Sequence, residues 1–251
     1  MVSVVLSALL SQSPVCINVY GRRLCGYDCK SADAISGACA ETPAGRCIAN
    51  NGRVHCFDPP VWLPVALEGP PPKPQCVVMG DAVACGYNCV SDRGRVACAR
   101  TPAGACEALP DRIVCADPPP EVYGVFGKDT PPMSCVSRGW VGVCGYHCVD
   151  AAGALGCTQT PFGVCDLSLM RPVCRDPDQH VICAYGEETP RPTCATLGDR
   201  VACGYNCTTF GGVACARTPA GRCDTQASAP VCFDPPLRGG GGRCLRVLGA
   251  R

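Results

Sequence analysis

This sequence is poor in the groups that catalysis and ligand chemistry most often use. It holds only 3 histidines, and aromatic residues make up 6% of it. A large aromatic core is therefore excluded. No histidine recurs at an equivalent place, no two carboxylates pair on a defined element, and no glycine-rich loop is set to cradle a phosphate, so no catalytic constellation emerges and no cofactor is implied. Charge of one sign is also missing. The 22 Lys+Arg and 21 Asp+Glu leave a net charge of +1 with no charge block, which gives no support for a nucleic-acid partner or for electrostatic membrane docking. No apolar run approaches the length of a transmembrane helix. The C-x-C and C-x2-C pairs typical of metal-thiolate clusters are absent as well.

Cysteine, by contrast, is abundant, at 26 of 251 residues. It falls into four copies of one frame. The first copy is Cys16, Cys25, Cys29, Cys39, Cys47 and Cys56, and the second is Cys76, Cys85, Cys89, Cys98, Cys106 and Cys115. The third is Cys135, Cys144, Cys148, Cys157, Cys165 and Cys174, and the fourth is Cys194, Cys203, Cys207, Cys215, Cys223 and Cys232. The shared pattern is C-x8-C-G-Y-x-C-x(7–9)-C-x-x-T-P-x-G-x-C-x8-C-x-D-P. A fixed period of this kind marks a tandem array. Each copy spans roughly 40 residues, too few to bury the apolar surface that offsets chain entropy, so staples must supply the rest. Paired thiols in this number belong to an oxidising compartment.

The organisation follows from the frame. Residues 1–13 read as the apolar part of a truncated secretory signal without its basic start. Repeats at 14–60, 75–119, 134–178 and 193–236 alternate with proline-rich linkers at 61–74, 120–133 and 179–192, and a glycine-rich tail covers 237–251. The prolines favour extended polyproline spacers, and the spacing leaves open whether successive modules touch. Cys183 and Cys244 lie outside the frame and bracket the fourth repeat. A bond between them is the economical pairing, and an intermolecular bond is the alternative.

The x8 spacing predicts hairpins. Asn51-Gly52 sits at the centre of Cys47–Cys56 and is a strong type I′ signal. Tyr20-Gly21, Gly80-Asp81, Arg93-Gly94, Gly139-Trp140, Ala152-Gly153 and Gly198-Asp199 occupy the same central place. Counting outward from a two-residue turn brings the two terminal cysteines face to face at a non-hydrogen-bonded position, close enough to bridge. The fold class expected is thus small, all-β and disulfide-rich, a tandem array of four β-hairpin modules, with three hairpins per module each closed by its own disulfide. The x9 segment Cys29–Cys39 and the x7 segment Cys207–Cys215 need longer or bulged turns. Cys106–Cys115 offers Pro110-Asp111, and Cys165–Cys174 and Cys223–Cys232 offer no clear turn pair.

The remaining motifs carry structural readings beside sharper ones. Thr-Pro-x-Gly suits a type I turn. Cys-Gly-Tyr-x-Cys reads as a connector, with its tyrosine packing on disulfides. Asp-Pro after each last cysteine reads as a turn cap and strand end, and one carboxylate per module is far short of a calcium shell. Asn206-Cys207-Thr208 fits a glycosylation acceptor by coincidence. The segment Cys98–Cys106 has the nine-residue length of the reactive loop in Bowman–Birk-type protease inhibitors, which it resembles in that loop alone. The resemblance would make Arg100 and Arg217 specificity residues, and it requires a Cys98–Cys106 bond. Thiolate metal binding is a second alternative. His147, the most suggestive histidine, stands where other copies have Asp28, Asn88 and Asn206, so it does not repeat as a ligand would.

Taken together, CGYxC, TPxGxC and CxDP over residues 14 to 236 resemble the tandem cysteine-rich repeats of predicted secreted bacterial proteins of unknown function. That resemblance implies secretion and no particular activity. The reading expected is a secreted structural or adhesive protein, non-catalytic, whose variable hairpin tips contact a protein, matrix or glycan partner. Trp140 at one tip and Phe210 near another are the leading candidates.

Overall fold

A computed structural model describes residues 13–60, 72–168, 170–226 and 229–235. Residues 1–12 of the proposed signal segment (1–13), most of the first linker and the glycine-rich tail with Cys244 fall outside these residues. Module 1 contains β1 (Val15–Val19), β2 (Arg22–Ser31), β3 (Gly37–Ala40), β4 (Arg46–Asn50) and β5 (Arg53–Phe57). Module 2 contains β6 (Gln75–Met79), β7 (Ala82–Asp92), β8 (Arg95–Ala99), β9 (Ala105–Ala108) and β10 (Ile113–Ala116). Module 3 contains β11 (Ser134–Arg138), β12 (Val141–Ala151), β13 (Ala154–Thr158), β14 (Val164–Ser168) and β15 (Arg171–Arg175). Module 4 contains β16 (Thr193–Leu197), β17 (Arg200–Thr208), β18 (Ala214–Ala216), β19 (Arg222–Gln226) and β20 (Ala229–Phe233). In every module the first three strands form an antiparallel sheet in sequence order and the last two form a separate hairpin. Among the described residues no helix is long and apolar enough to cross a membrane.

The three disulfides of each module close its three hairpins, as the spacing predicts. Cys76 faces Cys85 across β6–β7, and Cys106 faces Cys115 across β9–β10. The other modules repeat this pattern, and Cα–Cα separations are 4.0 to 4.1 Å throughout. Each bond closes a loop of about ten residues and removes about 2–3 kcal/mol of unfolded-chain entropy. Cys183 is also disulfide-bonded.

The turns separate into two classes by sequence. Tyr20-Gly21, Asn51-Gly52, Arg93-Gly94 and Ala152-Gly153 have positive φ at both residues, the I′ conformation. Gly80, Gly139 and Gly198 are positive at the first position only, the II′ conformation, which leaves the second position to an ordinary residue such as Trp140. In the x9 segment Ala32 N–H donates to Ser36 C=O at 2.9 Å, leaving a three-residue turn. In Cys106–Cys115, Leu109 N–H donates to Arg112 C=O at 2.7 Å around Pro110-Asp111.

A bulge interrupts the pairing of the second and third strands just after the tyrosine of every Cys-Gly-Tyr-x-Cys box. Its x residue takes positive φ, at 40° to 47°, in Asp28, Asn88, His147 and Asn206. Asp, Asn and His are the side chains that best tolerate that region, which explains why these three types alternate at one position.

The linkers differ from the extended spacers expected of 120–133 and 179–192. Pro120–Phe126 forms helix α1 and Gln179–Tyr185 forms helix α2, each followed by a 3-10 turn. Pro120 suits the first helical position, where its missing N–H costs nothing. Val122, Tyr123, Val181 and Ile182 are buried, and α1 packs on α2, so apolar burial outweighs the polyproline tendency of the flanking residues. Tyr123 Oη accepts from Ala103 N–H of module 2 at 3.0 Å. Phe126 stacks on Phe162 of module 3, with centroids 5.3 Å apart. Val181 packs with Tyr205, Ala216 and Cys223 of module 4.

Candidate binding surface at the hairpin tips

Two ends can be distinguished in each module. The base gathers the conserved-in-copy motifs. Asp117 Oδ1 accepts from Thr101 N–H and Oγ1 at 2.7 Å each, and its Oδ2 accepts from Arg100 N–H at 3.0 Å. Asp58, Asp176 and Asp234 make the same three-donor contact with Glu41 and Thr42, Gln159 and Thr160, and Arg217 and Thr218. The Asp of CxDP is therefore not a local cap: it locks the Thr-Pro turn that lies 16 to 17 residues before it. The turn itself closes with Gly104 N–H donating to Thr101 C=O at 3.1 Å. A Cβ on Gly104 would overlap the Asp117 carboxylate, so the glycine is required by close approach.

For Asp234, burial opposes ionisation. Hydrogen bonds from Arg217 N–H and from Thr218 N–H and Oγ1, helped by the Arg217 guanidinium, outweigh it and hold the carboxyl below its ordinary value. The bulge residue ties the same base together. Asn88 Nδ2 donates to Pro102 and Gly104 carbonyls at 2.9 and 2.6 Å, Asn206 Nδ2 to those of Pro219 and Gly221 at 3.0 and 2.6 Å, and His147 Nε2 lies 2.9 Å from Pro161 O. Asp28, which can only accept, takes Cys47 N–H at 2.8 Å. The Asn206 amide nitrogen is thus engaged twice, as a structural group. His147 plays the same part as Asn88 and Asn206.

Three tyrosines of the CGYxC boxes, Tyr87, Tyr146 and Tyr205, are buried at the base, and the fourth, Tyr27, is half-buried. Tyr146 and Tyr205 donate to Pro131 and Pro190 carbonyls at 2.7 and 2.8 Å. Burial pushes Tyr87 up to about 12, with Tyr123 adding to it. Tyr205 is also pushed up to about 12, by burial first, with Arg175 opposing and Asp178 and Tyr185 adding. Tyr146 is raised further for the same reason.

The tips come together at the other end. In module 2, Gly94 N–H lies 2.9 Å from Met79 Sδ and Arg95 donates to Pro110 O at 3.1 Å, joining all three tips. Arg138 pairs with Asp150 at 2.8 Å in module 3, and Thr225 Oγ1 donates to Phe210 O at 3.1 Å in module 4. Neighbouring modules join there too. Asn50 Nδ2 donates to Gly80 O at 3.2 Å, Ser137 Oγ to Glu107 Oε1 at 3.1 Å and Ser168 Oγ to Asp199 O at 2.8 Å. Leu109 is buried against Gly142.

Trp140 and Phe210 stand on this tip surface, 63% and 75% exposed. Tyr20, Ile35 and Met170 are exposed on it as well. Sequence inspection did not single out its arginines. Arg22, Arg53, Arg171 and Arg200 each follow a turn directly, are exposed, and make no ion pair among the described residues. Their signal was present, since six turns are followed by arginine, Arg95 and Arg112 being the other two, but it has meaning only once the tips are known to share one side.

Arg100 and Arg217 are placed elsewhere, at the base. Arg217 pairs with Asp178 at 3.3 Å, and the backbone N–H of each donates to an aspartate. The Cys98–Cys106 ring required by the inhibitor reading does not form, because Cys98 is bonded to Cys89 and Cys106 to Cys115. Hairpin pairing puts those two cysteines in different disulfides. Thiolate chemistry needs reduced cysteine, and among the described residues none is free, nor do three metal-ligating side chains gather.

No protein-family model matches this chain, and neither a curated protein nor a solved structure matches it.

Proposed function

We propose that the chain is a secreted, non-catalytic structural and adhesive repeat protein, and that the tip surface makes its contacts. The observation that carries this reading is the display of exposed side chains on covalently closed hairpins. Tyr20, Trp140, Met170 and Phe210 project from turns whose strands are fixed by disulfides. Ordering costs on binding are therefore low. Repetition along the chain adds avidity, since several weak contacts to one extended partner act at high effective concentration. The disulfide content supports secretion, because such bonds persist in oxidising compartments. Arginines beside exposed rings suit a partner that carries acidic groups and sugar faces.

An acidic polysaccharide is the first probe. The full oxidised chain is passed over immobilised alginate and, in parallel, over neutral dextran and an extracellular-matrix protein. Retention on one of these surfaces is expected to fall at least tenfold in the Tyr20→Ser, Trp140→Ser, Met170→Ser, Phe210→Ser variant. Equal retention of that variant would remove the tip surface from the reading. Stoichiometric trypsin inhibition, abolished by Arg100→Ala with Arg217→Ala, would replace adhesion with the inhibitor function.

A further inference from the structure

Among the described residues, modules 1 and 4 each expose one of two complementary halves of the junction that joins modules within the chain. Within the chain, the outer side of the third hairpin meets the central strand of the next module. The clearest contact is Phe57 on β5 against Tyr87 on β7, edge to face with centroids 6.0 Å apart. Ala116, Arg175 and Phe233 stand at the place of Phe57 in the later modules, and Val114, Val173 and Val231 at that of His55.

At the three internal junctions these positions are covered in part: His55, Phe57, Val114, Ala116, Val173 and Arg175 are all half-buried. On β20 the same two positions are open, with Val231 47% and Phe233 70% exposed. Phe233 also repeats the Cys-Phe-Asp-Pro context of Phe57.

The opposite half shows the converse. Tyr87, Tyr146 and Tyr205 are each 6% exposed: Tyr87 lies against Phe57 of the preceding module, and Tyr146 and Tyr205 bond the Pro131 and Pro190 carbonyls of the preceding linkers. Tyr27, their counterpart in module 1, is only half-buried. Cys25 and Arg23 on β2 are exposed, whereas Cys85, Cys144 and Cys203, and Val83, Gly142 and Val201, are half-buried or buried. Module 4 thus presents the phenylalanine half of a junction and module 1 the tyrosine half.

We infer that a second copy of this chain docks head to tail, with β20 of one molecule against β2 of the next and Phe233 on Tyr27 as Phe57 lies on Tyr87. The two surfaces are different patches of the same molecule. The contact is heterologous and does not close on itself, so repeated docking adds copies in a line. This inference extends past adhesion and does not rest on it.

Sedimentation velocity on the full oxidised chain, from micromolar to sub-millimolar concentration, tests it. Species that grow with concentration without stopping at a dimer are expected. Phe233→Glu is expected to stay monomeric, and intact mass with no free thiol confirms its disulfides, since Phe233 is a surface residue. That variant keeps its module 1 surface, so a small fraction of it mixed with the unaltered chain is expected to cap growing ends and shorten the assemblies. A chain that stays monomeric at every concentration overturns the inference. So do assemblies whose length the variant leaves unchanged. Retention of monomeric Phe233→Glu on the polysaccharide surface is read separately, so failure of assembly and failure of tip binding are distinguishable.

Discussion

At the residue scale the strongest polar constraint is the aspartate that ends each module. Asp117 receives three hydrogen bonds, two from backbone N–H groups and one from a threonine hydroxyl. Asp117→Ala leaves those donors unpaired in a partly buried place and is expected to cost about 2–4 kcal/mol, read as a lowered midpoint of denaturant unfolding with disulfides intact. Asp234 adds a pH dependence. Its folded carboxyl lies below the ordinary value of 3.8, so the unfolded state binds the proton first. The stability it contributes is complete above the unfolded value and is lost as pH falls through the folded one. Tyrosine works in the other direction. With Tyr87 and Tyr205 raised to about 12, the fold favours the neutral phenol. That contribution is complete below the ordinary value of 10.0 and disappears as pH climbs toward 12. A rapid spectroscopic titration at low temperature is expected to show a late tyrosinate limb that shrinks in Tyr205→Phe. A limb unchanged by that substitution would mean that Tyr205 ionises with the exposed tyrosines.

At the element scale the hairpins were legible and the linkers were not. A hairpin is a local object. Its turn pair, its length and its cysteines lie within ten residues, so Asn51-Gly52 between Cys47 and Cys56 already implies register and pairing. Cys207–Cys215 was legible to the same degree, as a segment too short for a two-residue turn; its strands end at Thr208 and Ala214. The helices α1 and α2 are different. Their seven residues carry no strong helix signal of their own, and proline around them points to extended chain. What makes them helical is burial: Val122 and Val181 are fully buried, Val181 against Tyr205, Ala216 and Cys223 of the module that follows, contacts that a seven-residue window does not contain. Phe162 shows the same limit. In the sequence it is merely the copy of Thr-Pro-x-Gly that lacks alanine, and its reason, the stack on Phe126, lies in another element. The candidate site was legible in part for this reason. Trp140 and Phe210 could be placed on tips from turn chemistry alone. That the tips share one side with the arginines, while Arg100 and Arg217 sit at the base, depends on how hairpins pack.

At the scale of the whole molecule the modules are coupled, and coupling predicts an uneven distribution of stability. In a linear array each unit is held by its own staples and by its contacts with neighbours. The disulfides act almost equally on all four modules, because every one closes a loop of similar length. The junctions do not. Among the described residues modules 2 and 3 each have two, whereas modules 1 and 4 have one. Amide hydrogen exchange on dilute protein is therefore expected to be slowest in β7 and β12, and faster in β2 and in the β19–β20 hairpin, whose outer faces are open. Equal protection in all four modules would mean that the staples alone set local stability and that the junctions contribute little. Concentration then separates the two faces of the argument. If copies dock head to tail, raising the concentration covers β2 and β20 and leaves β7 and β12 as they were. Protection is expected to rise selectively at the two ends, by an amount that Phe233→Glu abolishes. An array whose ends become as protected as its middle has reproduced its internal junction between molecules.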